Sequence, residues 1–273
     1  MPAASVPRVS VVMPVKGADP AHIREAVRSI LGQSMHDLEL VVVEDPSASS
    51  ARGLMAEVGD PRLVYVENAE PTSHTRQINQ AIALSRADWV AHMDADDVAE
   101  PDRLERQLAA LAAHPGVDVI GSALTIISPT GEVTGARPYP TEHEDIVRAM
   151  RRFNPLAHST VVYRKQAVVD AGGYDDRVYP AIDYSVWARV ARRGGRFMNL
   201  PDRLVRYRIH RGEIKTGKLK DTIRASMWIK RQYLREGMTL RDRLRLLGES
   251  GLLLLPDEIV LRLFFATQYE REQ

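Results

Sequence analysis

Two apolar runs rich in valine, Val9-Ser10-Val11-Val12-Met13 and Leu38 to Val43, flank a segment whose apolar residues recur at helical spacing. This arrangement restricts the fold more than any other feature, because strands joined by a helix lie parallel and cross over with a right hand. The helix is delimited chemically. Asp19 offers an N-cap, Pro20 tolerates the first helical position, Ile23, Val27, Ile30 and Leu31 share one face, and Gly32 marks the stop. Pro14 is expected to close the first strand, and Glu44-Asp45-Pro46 ends the second.

The alternation continues with a strand over Leu63–Val66, a helix over Thr75–Ser85 that turns Ile78, Ala81 and Ile82 inward, and a strand over Trp89–Met93. Pro101 opens another helix with Leu104, Leu108 and Leu111 on one stripe and Pro115-Gly116 past its end. From Val117 the reading changes to extended segments with a turn at Pro129-Thr130-Gly131, which adds antiparallel strands to the parallel half. The expected fold class is α/β: a mixed, mostly parallel central sheet flanked by helices. Residues 1–212 form the main domain and 213–273 a basic and apolar C-terminal helical extension.

A chain of 273 residues, 44% hydrophobic and 27% charged, buries a sizeable core and is unlike disordered or collagenous sequences. The absence of cysteine removes disulfides, thiolate metal sites and a cysteine nucleophile, so any bound metal must use oxygen or imidazole. The N-terminal MPAASVPR lacks a secretory pattern, and no run of about 18 apolar residues occurs. A cytoplasmic location follows, with peripheral attachment at the inner membrane surface as its variant. The charges are unevenly spread: residues 1–188 carry 17 basic and 26 acidic side chains, and residues 189–247 carry 18 and 5.

In a doubly wound sheet, ligands bind beyond the carboxyl ends of the strands. Two acidic clusters stand at such ends, Glu44-Asp45 and Asp94-Ala95-Asp96-Asp97. Carboxylates at i and i+2 of an extended segment point the same way and repel, unless a cation or hydrogen-bond donors compensate them. A hard divalent ion, Mg²⁺ or Mn²⁺, suits such oxygen ligands together with phosphate oxygens. The competing reading is a solvated turn that caps the next helix.

His92-Met93-Asp94-Ala95-Asp96-Asp97, then Pro101-Asp102-Arg103-Leu104-Glu105-Arg106-Gln107, then His114-Pro115-Gly116-Val117-Asp118-Val119-Ile120-Gly121-Ser122 resemble, in unbroken register, the metal-binding loop, helix and strand of the inverting family 2 glycosyltransferases of GT-A fold. The resemblance covers roughly residues 8–212 and implies transfer of a sugar from a UDP, dTDP or GDP donor to an acceptor it does not identify. It implies that Asp94 and Ala95 lie on the donor, with Asp94 on the ribose side, and that Asp96 binds the metal bridging the diphosphate. Glu44 stands where the family has the first of two aspartates, the base or ribose contact, although the glutamate and Pro46 depart from the pattern. Pro14, Val15 and Lys16 match the loop lining the nucleotide pocket, Arg76 and Asn79 match helix positions facing the donor, and His158 matches a histidine near the site.

The resemblance further makes Asp183 the general base, in Ala181-Ile182-Asp183-Tyr184-Ser185-Val186-Trp187, with Ile182 replacing the usual first acid; a helix N-cap is its competing role. Gly172-Gly173-Tyr174-Asp175 looks like the turn that precedes the base, and His210 stands where related enzymes return a histidine to the metal. Two other functions fit parts of the pattern, a sugar-nucleotide nucleotidyltransferase and a non-catalytic nucleotide-binding protein. No early glycine-rich phosphate loop supports the first, and no GxGxxG supports a dinucleotide oxidoreductase. Aromatic content of 6% and an acidic main domain argue against nucleic acid as a partner. The arginine- and lysine-rich part of the extension has three readings, a solvated helix face, a peripheral membrane surface or a dock for an acidic partner, while the apolar Leu252–Leu255 and Ile259, Val260, Leu263, Phe264 and Phe265 suit core packing or a homodimer contact.

Overall fold

The computed structural model describes residues 6–209, 216–256 and 259–260. Its parallel half comprises β1 (Val9–Val15), β2 (Leu38–Glu44), β3 (Leu63–Glu67) and β4 (Trp89–His92), ordered β3-β2-β1-β4, with crossover helices α1 (Pro20–Leu31), α2 (Arg52–Val58) and α3 (His74–Leu84). The register runs from Val9↔Leu38 to Val15↔Glu44 and, on the other side of β1, from Ser10↔Val90 to Val12↔His92. Helices cover both faces, which is why the strands read as continuous apolar runs. Val11 and Met13 pack with Ile23, Val27 and Leu104, while Val12, Val41 and Val43 face Ile78, Ala81 and the second core. α1 is capped as expected, with the Asp19 carboxylate accepting from the Ala21 N–H at 2.8 Å.

Pro14 does not end β1. The Met93 N–H donates to the Val12 carbonyl at 3.1 Å, so Val12 turns its backbone toward β4. Pro14, two residues on, faces the same way beyond the last β4 rung, where a missing N–H breaks no ladder bond. α2 is absent from the sequence reading because seven residues with only Leu54 and Met55 buried carry no helical period.

After β4 the chain forms β5 (Val98–Ala99), α4 (Arg103–Ala113), β6 (Val119–Ile127), β7 (Val133–Arg137), α5 (His143–Met150), β8 (Val162–Arg164), α6 (Lys165–Asp170), α7 (Ile182–Arg192) and β9 (Phe197–Arg208). The sheet continues β4-β8-β6-β9-β5, and β7 pairs with β6 through the expected turn at Gly131. The long ladders, β1 with β2, β2 with β3 and β6 with β9, are parallel, whereas β4 with β8, β6 with β8 and β5 with β9 are short and antiparallel. Two last helices, α8 (Thr216–Tyr233) and α9 (Leu240–Leu252), follow. Ile229 of α8 and Leu234 just after it are buried in the same core as Trp187, so this part of the extension packs into the body. Among the described residues no helix is long and apolar enough to cross a membrane.

Gly121 on β6 allows Asn199 of β9 and the segment from Leu156 to Thr160 to approach closely. A Cβ there would overlap Asn199 Oδ1, and the same amide is pinned by donating to the Pro140 and Pro155 carbonyls at 2.7 and 3.1 Å. Gly121→Ala is therefore expected to lose about 2 kcal/mol of stability, read as a lower midpoint in urea.

Candidate active site

The carboxyl ends of β1, β2 and β4 converge, and the two acidic clusters are distributed differently among them. Glu44 and Asp45 are adjacent on an extended chain and point apart. The buried Glu44 carboxylate accepts from the Ala51 N–H at 2.8 Å and from the Tyr65 hydroxyl, beside the first turn of α2. Asp45 turns instead toward the Thr72 N–H at 2.7 Å, Asn68 Nδ2 at 2.9 Å and Lys16 Nζ at 3.2 Å. Burial opposes ionisation of Asp45, but the donors from Asn68, Thr72 and Lys16 hold its carboxyl below the usual range. The Glu44 side chain thus ties α2 to β2, and Asp45 is the acid beside Lys16.

Pro14 and Val15 are the last two residues of the neighbouring strand β1. Both are buried in the sheet, and the Val15 carbonyl is taken by the Asp45 N–H at 3.0 Å and Gln77 Nε2 at 2.8 Å, so Lys16 is the first exposed residue of this strand end. Asn79 is spent on the protein as well. Its Oδ1 accepts from the Tyr174 N–H and its Nδ2 donates to the Tyr174 carbonyl, both at 2.9 Å, which clamps the turn at Gly172 and Gly173 (φ 87° and 64°). Arg76 stands exposed with its guanidinium 3.6 Å from Asp176.

Asp94 closes β4. Its Oδ1 lies 3.0 Å from His92 Nε2, and its Oδ2 accepts from the Ser159 hydroxyl at 2.8 Å. Burial is the largest influence and opposes its charge, but the His92 hydrogen bond and the surrounding imidazoles together outweigh it and keep the carboxylate ionised well below the usual range, which places the His92 proton on Nε2. His92 stacks on His158, with ring centroids 3.5 Å apart and planes at 12°, and His158 Nε2 meets the Tyr174 hydroxyl at 3.0 Å. Burial pushes the His158 pKa down, so this imidazole is neutral. His74, first in α3, lies between the clusters: burial lowers its pKa, and the charges of Asp94, His92, Lys16 and Asp45 all bear on it. His74 thus stands within electrostatic reach of both strand ends.

Asp96 and Asp97 continue the loop, with Ala95 buried beneath it. Asp97 is fully buried, its Oδ1 accepts from the Arg208 N–H at 2.8 Å, and its Oδ2 has no hydrogen-bond partner among the described residues. Burial, then the charges of Asp94 and Asp96, push its pKa well above the usual value. An orphaned oxygen among closely spaced acids is a donor set that suits a hard divalent cation. Ligand atoms of His92, Asp94 and His158 also lie within 4.8 Å of one another. However, nearly parallel stacked rings direct their in-plane lone pairs along parallel lines, so both imidazoles cannot bind one ion, and the oxygen-rich loop is the better site. His210, expected as a further ligand, lies outside the described residues.

Asp183 stands on α7 and lines a cavity together with Asp94. Ala181 is the N-cap of that helix and makes no side-chain cap, so Asp183, two residues on, is not the cap. Asn154 Nδ2 donates to its Oδ2 at 2.6 Å. Burial outweighs this hydrogen bond and raises the pKa to about 6, a value matched to proton transfer near neutral pH. Behind it, Tyr184 donates its hydroxyl to the Met150 carbonyl, and Trp187 packs against Tyr163 and Tyr174 at 5.6 and 6.4 Å. Asp94, His158 and Asp183 line one cavity of about 530 Å³, whose far wall is built by α8 and α9.

Several contributors have no short-range sequence signal. Asn154 acts 29 residues from its partner. Arg208 reaches the acidic loop from β9, donating Nε to the Asp96 carbonyl at 2.8 Å while pairing with Glu25 at 2.6 Å. The visible hint is an arginine at an inward position of a strand.

A parallel nucleotide-type half that ends in an acidic loop, joined through short antiparallel ladders to a second half bearing another carboxylate, is the GT-A arrangement of glycosyltransferases. Residues 10–172 match the model of glycosyl transferase family 2. The chain belongs to that family and is a glycosyltransferase. The amylovoran biosynthesis glycosyltransferase AmsE of Erwinia amylovora is 30% identical over 191 residues, covering 69% of this chain and 71% of its own. The fold is also that of S. aureus TarS 1-349 in complex with UDP-GlcNAc, with a TM-score of 0.68 and 18% identity over 96% of this chain and 73% of that one. It is likewise that of the Pyrobaculum calidifontis mannosyltransferase PcManGT in complex with GDP-Man and Mn²⁺, with a TM-score of 0.63 and 19% identity over 96% and 76%.

Proposed function

We propose that the chain transfers a glycosyl group with inversion from a nucleoside-diphosphate sugar to an acceptor hydroxyl, with Asp183 as general base. The observation that carries this reading is the single cavity that holds both Asp94, at the donor strand end, and Asp183, with its pKa near 6. Asp45 and Lys16 lie on the nucleoside side, Asp94 on the ribose side, and Arg76 is available to phosphate. Asp96, backed by Asp97, would hold the divalent ion, which supplies neutralisation of diphosphate charge when bound. Asp183 takes the acceptor proton as the new C1–O bond forms on the face opposite the leaving nucleoside diphosphate, and no covalent enzyme intermediate is needed.

Thermal shift with UDP, GDP and dTDP, each with and without Mn²⁺, tests the donor half of this reading. One nucleotide is expected to stabilise the protein in a metal-dependent way, and equal or absent responses to all would overturn it.

The pH profile tests the base. Only the deprotonated carboxylate accepts a proton, so kcat/KM is expected to rise with pH through an apparent pKa near 6. The Asn154 amide stabilises the charged form, so Asn154→Ala moves this acid limb upward by up to about one pH unit. An unmoved limb in that variant would assign the titration to another group.

A further inference from the structure

We infer that the outward face of α9 docks on an anionic lipid surface. At 100° per residue, Leu240, Leu244, Leu247 and Gly251 fall within about 60° of one another on this helix, and Leu254, in the turn that closes it, extends the stripe. These leucines are 74%, 59%, 66% and 88% exposed. The opposite side holds the anchoring groups. Asp242 forms a capping box with Thr239, and Glu249 accepts from the buried Lys230 of α8 at 2.7 Å. The helix thus inverts the usual arrangement, with its capping and ion-paired side inward and its leucines to solvent.

Charge decides the occupant. Exposed Arg241 and Arg243 flank the leucine stripe on its two sides, within the segment 189–247 that carries 18 basic and 5 acidic side chains. Two copies packed through this face would bring these arginine rows together. A bilayer with anionic headgroups takes the leucines into its interface and the guanidiniums at its surface. The inward side of α9 contributes Arg245, Glu249 and Leu252 to the cavity that contains Asp183, so the lipid surface would lie about one helix diameter, roughly 10 Å, from that cavity.

Sedimentation of the full chain with vesicles of phosphatidylcholine alone and of phosphatidylcholine mixed with phosphatidylglycerol tests the inference. The protein is expected to pellet with the anionic vesicles and to be released by salt. The combined variant Leu240→Ser, Leu244→Ser and Leu247→Ser is expected to weaken this binding by at least about tenfold, with its melting temperature and donor response retained. Arg241→Gln with Arg243→Gln, which leaves the leucines in place, should lose the preference for anionic vesicles. Wild-type binding by the leucine variant, or no binding by the native chain, overturns the proposal. So does a dimer in light scattering that the leucine variant dissociates without any vesicle association. None of these results bears on the donor thermal shift, so failure here and failure of the transfer reading are distinguishable.

Discussion

Asp183→Asn is expected to lower kcat by about 10³-fold while the metal-dependent thermal shift with nucleoside diphosphate is retained, because the substitution deletes a proton acceptor and leaves the donor strand ends intact. The same variant is expected to be more stable than the native chain at neutral pH. Burial raises the Asp183 pKa from 3.8 to about 6. The folded state therefore holds a proton that the unfolded state releases between these values. The stability this contributes is present below pH 3.8 and is lost as pH rises through 6. At pH 7 the charged carboxylate costs the fold roughly 2 kcal/mol after allowance for solvent screening, which an uncharged amide of similar shape relieves. A helix cap would behave oppositely, with loss of the carboxylate lowering stability at pH 7. Wild-type turnover by this variant would remove Asp183 from the reaction.

Asp96→Asn is expected to abolish the metal dependence of donor binding. Ligand near 100 times its Kd adds about 2.7 kcal/mol, or about 5–10 °C in melting temperature for a chain of this size, and the variant should lose most of that shift. Without metal it should be no less stable than the native protein, because the charge of Asp96 is among those pushing the buried Asp97 toward protonation. A purely structural Asp96 would show the reverse, with lower stability in the absence of metal and an unchanged response to Mn²⁺. The two substitutions are expected to separate the halves of the proposed site, one stopping transfer with the donor bound and the other preventing metal-assisted binding.

The alternation of strands and helices, the acidic loop at the end of β4 and the family are legible in the amino-acid sequence, because these rest on local periods and on one contiguous run of motif residues. Asp19 as a cap, the turn at Gly131 and the apolar stripe of α4 are of the same kind, set within a few residues of chain. The sequence also marked Asp183, though without deciding between base and cap. The assembled sheet and helices remove the cap role by making Ala181 the N-cap, and they place Asn154 against Asp183. They likewise turn Glu44 onto α2 and Asp45 toward Lys16, close Asn79 on the Tyr174 backbone, and leave the α9 leucines outward. Each of these outcomes depends on which distant group meets a polar or apolar side chain once the sheet is assembled, and neither residue type nor spacing encodes that partner.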